Sequence, residues 1–238
     1  MELAKRFVDV GIFTNRLDEM RTFYGERIRL PYEELLPVGG GVRQYRYGLL
    51  GSVLKINHSR DSLPARIAGG YRMLSISDPR TPMPLPMHDP DGNDIELVPT
   101  GHRGINQIEI HIGVTDEAAF EHFYAEALQA DRLASNRFKL GETVISFKHD
   151  PTAERAPKAS SASATDVVAS MRAVGMRYIT VQVRDVDTEH RRFMSMGVRE
   201  GAAPVSLGAV ARISFIRDPD GNFIEISQRA SLTGPIPS

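Results

Sequence analysis

The pentapeptide Asp-Pro-Asp-Gly-Asn occurs twice, at Asp89 to Asn93 and Asp218 to Asn222, and each copy is followed by an Ile-Glu pair set among apolar residues. Asp favours turn initiation, Pro fixes φ at the next position, and Gly two residues later supplies the left-handed conformation that reverses the chain between antiparallel strands. Each copy therefore predicts a β-hairpin. Its second strand reads Asp94-Ile95-Glu96-Leu97-Val98 in one case and Phe223-Ile224-Glu225-Ile226-Ser227 in the other. Alternation along a strand puts Ile and Glu on opposite faces, so Glu96 and Glu225 occupy equivalent positions.

A repeat of this kind in 238 residues predicts two units of similar plan, 1–102 and 103–231, followed by a loose tail, 232–238. The first unit reads as a strand (Phe7 to Thr14), an amphipathic helix with Leu17, Met20, Phe23 and Tyr24 on one face, and a pair of strands (Val42 to Leu50, Ser52 to His58). A further strand (Tyr71 to Ser77) follows, then the first turn. Prolines 79, 82, 84 and 86 forbid a second helix there. The second unit repeats the order more fully. Its strand Gln107 to Val114 precedes a helix, Glu117 to Leu128, in which Phe123-Tyr124 matches Phe23-Tyr24; both pairs read as core packing. Strands Asn136 to Leu140 and Thr143 to His149 lead to a flexible Ala/Ser/Lys/Pro-rich segment, 151–165. A short helix to Val174, a strand Arg177 to Arg184, a helix Thr188 to Met196 and a strand Ala209 to Ile216 complete the series.

Composition narrows the function. A formal net charge of −1 with interspersed acids and bases gives no footprint for nucleic acid or an anionic membrane. The absence of cysteine excludes disulfides, thiolate metal ligands and a cysteine nucleophile. No apolar stretch is long enough to span a bilayer and the first residues lack a signal core, so a cytoplasmic location is expected. Nucleophile-elbow, P-loop, zincin and dinucleotide-binding signatures are missing, and Gly39-Gly40-Gly41 reads as a hairpin turn.

The order strand, helix with Phe-Tyr, paired strands, and closing Asp-Pro-Asp-Gly-Asn-x-Ile-Glu resembles the vicinal oxygen chelate superfamily, which includes glyoxalase I, bleomycin resistance proteins and type I extradiol dioxygenases. The resemblance implies an α+β fold: tandem domains of paired βαβββ modules forming half-open barrels, with the first domain abbreviated. It also implies a divalent metal (Fe, Mn, Ni or Zn) whose open positions take two oxygens of a small-molecule substrate. In the second domain the ligand positions fall on Glu109, Ser146, Tyr178 and Glu225, with His111 on the same strand face as Glu109. Glu109, His111 and Glu225 are then the expected metal ligands, and Glu225 and Tyr178 the expected catalytic residues. In the first domain the positions fall on Asp9, Lys55, Tyr71 and Glu96; an ammonium between Asp9 and Glu96 predicts a metal-free structural partner. His122 and His190 read as surface positions on helices.

Two functions follow from the resemblance. One is metal-dependent dioxygenase, isomerase or lyase chemistry on a small oxygenated molecule in the cup of the second domain. The other is metal-free sequestration of a small ligand, as in bleomycin resistance proteins. The superfamily pairs modules within and between chains, which allows a homodimer.

Overall fold

Both repeated turns form hairpins, and they do so with the same bonds. In the computed structural model, which describes residues 1–65, 70–153 and 169–236, Asp89 Oδ1 accepts from the backbone N–H of Asp91 at 3.0 Å and of Asn93 at 2.8 Å. Asp218 Oδ1 accepts from Asp220 at 3.1 Å and Asn222 at 2.8 Å. Gly92 and Gly221 take φ of +78° and +93°, the left-handed region that the turn requires.

The chain builds four modules. The first comprises β1 (Asp9–Thr14), α1 (Leu17–Arg21, continued by a π-helical turn, Thr22–Arg27), β2 (Tyr32–Gly39), β3 (Val42–Leu49) and β4 (Ser52–Ser59). The second has β5 (Tyr71–Ser77), β6 (Leu85–His88) and β7 (Asp94–Val98), with no helix between β5 and β6, as the prolines require. The third runs β8 (Ile108–Val114), α2 (Glu117–His122, continued by the π-helical turn Phe123–Ala127), β9 (Asp131–Ala134), β10 (Arg137–Leu140) and β11 (Thr143–His149). The fourth contains β12 (Gly175–Gln182), α3 (Val186–Ser195), β13 (Arg199–Leu207), β14 (Ala211–Arg217) and β15 (Phe223–Arg229). A last helical turn, Ala230–Thr233, occupies part of the stretch expected to be loose. Asp116 caps α2 by accepting from Ala119 N–H at 3.1 Å, and Asp185 caps α3 by accepting from Thr188 N–H at 2.9 Å. The flexible segment expected at 151–165, apart from its first three residues, and the start of the helix expected to reach Val174 lie outside the described residues.

Modules pair across the repeat, not within it. One eight-stranded sheet has the order β13-β14-β15-β12-β1-β4-β3-β2, and a seven-stranded sheet the order β6-β7-β5-β8-β11-β10-β9. The first module therefore joins the fourth through antiparallel β1 and β12, and the second joins the third through antiparallel β5 and β8. The boundary after residue 102 falls between two modules that share a sheet, so the expected cup inside residues 103–231 is corrected to two cups, each assembled from both halves of the sequence.

Alternation decides which face of each sheet is apolar. Val10 and Ile12 of β1, Ile224 and Ile226 of β15, and Ile108, Ile110 and Ile112 of β8 belong to one continuous buried cluster with Tyr24, Phe120, Tyr124 and Phe193 of the helices. The two sheets thus share a core that includes the helices, and the intervening residues Asp9, Gly11, Glu109, His111 and Glu225 fall on the opposite faces, which line the cups. His190 is buried with Nε2 2.9 Å from Glu200 Oε1, which corrects its expected surface position: it lies on the face of α3 that carries Val186 and Phe193.

Candidate functional site: two cups with compensated carboxylates

The eight-stranded sheet holds Glu225. Glu225 Oε2 accepts from Lys55 Nζ at 2.9 Å and from Thr180 Oγ1 at 2.7 Å, and Lys55 Nζ also donates to Thr180 Oγ1 at 2.6 Å. The parallel register of β12 and β15 places Thr180 opposite Glu225, and the antiparallel register of β1 and β12 places Asp9 opposite Thr180. Thr180, not Tyr178, is therefore the residue beside the terminal carboxylate. Lys55 reaches Glu225 of the fourth module, which corrects its expected place between Asp9 and Glu96. Asp9 has its own cation, Lys5 Nζ at 2.7 Å, and accepts from Val53 N–H at 2.8 Å.

Tyr178 fills this cup. Its ring lies over Gly11, close enough that a Cβ there would stand 2.0 Å from Tyr178 Cε1, so only glycine fits beneath it. Phe13, Met171, Phe215 and Phe223 complete a buried apolar cluster around it. The Tyr178 hydroxyl accepts from Asn57 Nδ2 at 3.2 Å and Gln44 Nε2 at 3.4 Å. Burial and the nearby Glu225 charge push its ionisation far above the ordinary tyrosine range. Among the described residues the hydroxyl is bonded by these two amides and by no base, an arrangement that serves packing.

The seven-stranded sheet holds Glu96, Glu109 and His111. Arg137 on β10 grips Glu109 through Nε to Oε1 at 2.9 Å and Nη2 to Oε2 at 3.2 Å, with Glu109 only 3% exposed. Burial opposes ionisation of Glu109, but the Arg137 hydrogen bonds and the surrounding positive charge outweigh it, and the carboxyl titrates below its usual range. Arg103 Nη2 donates to Glu96 Oε2. Ser75 Oγ donates to the same oxygen at 2.9 Å and stands 2.9 Å from His111 Nε2. His111 Nδ1 is 3.0 Å from Ser146 Oγ. Burial lowers the His111 pKa, against the pull of Glu109. Beside it, His111, Asn136, Arg137, Ser146 and Lys148 help line an open depression of ≈ 320 Å³.

The expected ligand set is therefore divided. Glu109 and His111 share the cup face of one sheet, with His111 Nε2 3.9 Å from Glu109 Oε2, while Glu225 lies on the cup face of the other. Sequence reasoning missed Arg137, Arg103, Ser75 and Thr180. Arg137 had a legible signal: a tight hairpin at Gly141-Glu142 sets Arg137 opposite Ser146, which is the observed register. Thr180 did not, because the choice between residues 178 and 180 on one face depends on the register with β15.

The donor chemistry does not fit a divalent ion. Asp9, Glu96, Glu109 and Glu225 each hold an ammonium or guanidinium in hydrogen-bonding contact. These cations neutralise the carboxylates and would repel a second positive charge. Among the described residues, no group of three His, Asp or Glu side chains is placed to hold an ion.

Comparison with known proteins supplies the family. The family model for the Glyoxalase/Bleomycin resistance protein/Dioxygenase superfamily matches residues 104–226, more than half of the chain. Among solved structures, glyoxalase I from Zea mays aligns with a TM-score of 0.69 at 14% identity, over 93% of this chain and 92% of that one. A candidate dioxygenase from Bacillus subtilis aligns at 0.67 and 14% identity, over 96% and 85%. The cppA protein from Streptococcus pneumoniae aligns at 0.53 and 11% identity, over 95% and 98%. At these identities the structural matches speak for the fold alone. No curated protein matches the sequence. The matched segment covers the third and fourth modules, the four-module architecture is that of two-domain glyoxalase I, and the chain belongs to the Glyoxalase/Bleomycin resistance protein/Dioxygenase superfamily.

Proposed function

We propose that this chain is a metal-independent member of its superfamily that binds a small, oxygenated, anionic organic molecule in the cup of the seven-stranded sheet. The observation that carries the reading is the pairing of all four ligand-position carboxylates with internal cations: Asp9 with Lys5, Glu225 with Lys55, Glu96 with Arg103 and Glu109 with Arg137. Each pair leaves its carboxylate engaged and its charge spent. The cup of the eight-stranded sheet is filled by Tyr178 and its aromatic neighbours, so the open depression beside His111 is the better receptacle. Lys148 in its wall adds a positive charge beyond those balanced by Glu96 and Glu109, which favours a carboxylate-bearing ligand.

One observation favours the metal-dependent alternative: Glu96, Glu109 and His111 do share a cup, linked through Ser75. An ion there would require Arg103 and Arg137 to leave. Elemental analysis of protein purified without chelator or affinity metal, with titration of iron, manganese, nickel and zinc by calorimetry, separates the two. We expect well under one equivalent of any metal and no saturable uptake. A stoichiometric metal lost in Glu109→Gln would overturn the reading. A thermal-shift screen of small mono- and dicarboxylates should find ligands that stabilise the wild type and lose their effect in Lys148→Ala.

A further inference from the structure

The hydrogen bonds of the open cup constrain one another, and the arrangement they leave for His111 and Ser146 points to a chemistry. Glu96, paired with Arg103, is acceptor-only, so the Ser75 hydroxyl hydrogen points to it. The Ser75 oxygen then has only lone pairs left for His111, which fixes the proton of the imidazole on Nε2. Nδ1 is then bare and stands 3.0 Å from the hydroxyl of Ser146, whose single hydrogen is shared between Nδ1 and the Glu109 carboxylate. With the Ser146 hydrogen on Nδ1, the chain of donors reads Ser146 to His111 to Ser75 to Glu96: a hydroxyl, a base, and a half-buried carboxylate that holds the base in one tautomer through an interposed serine.

Three features separate this arrangement from an ordinary satisfied histidine. Ser75 is fully buried, so the imidazole is held from behind and cannot exchange Ser75 for water. Ser146 and His111 are register partners on parallel β11 and β8, so their separation is set by the backbone of two paired strands. Both line the depression, with Arg137 and Lys148 in the same wall. A nucleophile, a base with an orienting partner, and cations beside an open volume are the parts that acyl transfer needs.

We propose that Ser146 is a nucleophile activated by His111, and that the cup hydrolyses small carboxylate-bearing esters or lactones without metal. The inference rests on the reading of this cup as the ligand site. Ser146 Oγ attacks the ester carbonyl carbon as its proton passes to His111 Nδ1. The carbon–oxygen bond to the leaving group breaks, and His111 returns the proton to the departing alkoxide. Water then attacks the acyl-serine, gives a proton to Nδ1, and the proton restores the Ser146 hydroxyl as the acid departs. The sum is ester plus water to acid plus alcohol, with no oxidant or metal required. His111 and Ser146 are the catalytic residues; Ser75 is a positioning residue.

Diisopropyl fluorophosphate on the full-length protein tests this. Intact mass and peptide mapping should find one adduct, on Ser146, absent in Ser146→Ala. His111→Gln should label at least about 10²-fold more slowly, the lower bound for a lost general base. Ser75→Ala should lower the maximal labelling rate while leaving the half-saturating probe concentration unchanged, a split that loss of packing alone does not produce. Urea midpoints within error of wild type establish that each variant is folded. No adduct at Ser146, or equal labelling rates in wild type and folded His111→Gln, overturns the proposal. Metal content and carboxylate binding, measured on the same wild-type sample, judge the ligand-site reading separately: a cup that binds carboxylates without metal yet leaves Ser146 unlabelled keeps that reading and loses this one.

Discussion

Lys55 shows how one residue changes what a cup can do. Its ammonium donates to both Thr180 and Glu225, with side-chain exposures of 4% for the lysine and 12% for the glutamate. The attraction of such a pair is offset by the cost of removing both charges from water, so its net contribution is small, but removal of one partner leaves a buried charge alone. Lys55→Met should therefore destabilise the protein by about 3–5 kcal/mol. Adding Glu225→Leu to that variant should recover most of the loss. Urea midpoints of the two single variants and the double variant check this. A double variant as unstable as Lys55→Met would mean that the cost lies in lost packing of the lysine stem over the Tyr178 ring, where Nζ sits 5.5 Å from the centroid.

At the scale of elements, the repeated turn does more than reverse the chain. The Tyr24 hydroxyl, on the helix of the first module, donates to Asp89 Oδ2 of the second module's turn at 2.8 Å. Its counterpart Tyr124 is as deeply buried, yet its hydroxyl has no partner among the described residues. The same substitution should thus have opposite consequences: Tyr24→Phe loses a hydrogen bond to a carboxylate, about 1.5–3 kcal/mol, whereas Tyr124→Phe removes an unsatisfied hydroxyl and is neutral or stabilising. Equal losses in urea denaturation would contradict the assignment. The core role expected for both Phe-Tyr pairs is found, and the distinction between them is not legible in sequence because it depends on tenths of an ångström at a buried contact. Three strands escaped the sequence reading altogether: β2, β9 and β13. All three end a sheet, and Tyr32, Leu35, Leu133 and Leu207 on them are exposed. Along β2 and β9 nearly every side chain meets solvent, so the alternation that revealed β4, β8 and β12 is absent; β13 buries Gly201 and Ala202 in succession and breaks register with β14 twice, which interrupts the period of two.

The whole molecule is held by contacts that cross the repeat. Asn93, in the turn of the seven-stranded sheet, accepts from Met176 N–H at 3.1 Å at the start of β12. Asn222, in the turn of the eight-stranded sheet, accepts from Gly70 N–H at 2.8 Å beside β5. Asp220 in that same turn accepts from Thr115 N–H at 2.8 Å just after β8. Each closing turn therefore reaches into the other sheet, and the two sheets bury one common core. Pairing of modules could not be read from the repeat, because the motif marks where a module ends and not which module lies beside it. The consequence is cooperative. A chain divided after residue 102 leaves β1 without β12 in one piece and β8 without β5 in the other, and exposes the shared core in both. Expressed alone, residues 1–102 and 103–238 should each lack near-ultraviolet dichroism and a cooperative urea transition. Mixed at equal concentration, they should recover both, because the missing partners of each piece lie in the other. A C-terminal piece that unfolds cooperatively by itself would return the molecule to two sequential domains, and would remove the physical reason for expecting a single transition in the intact chain.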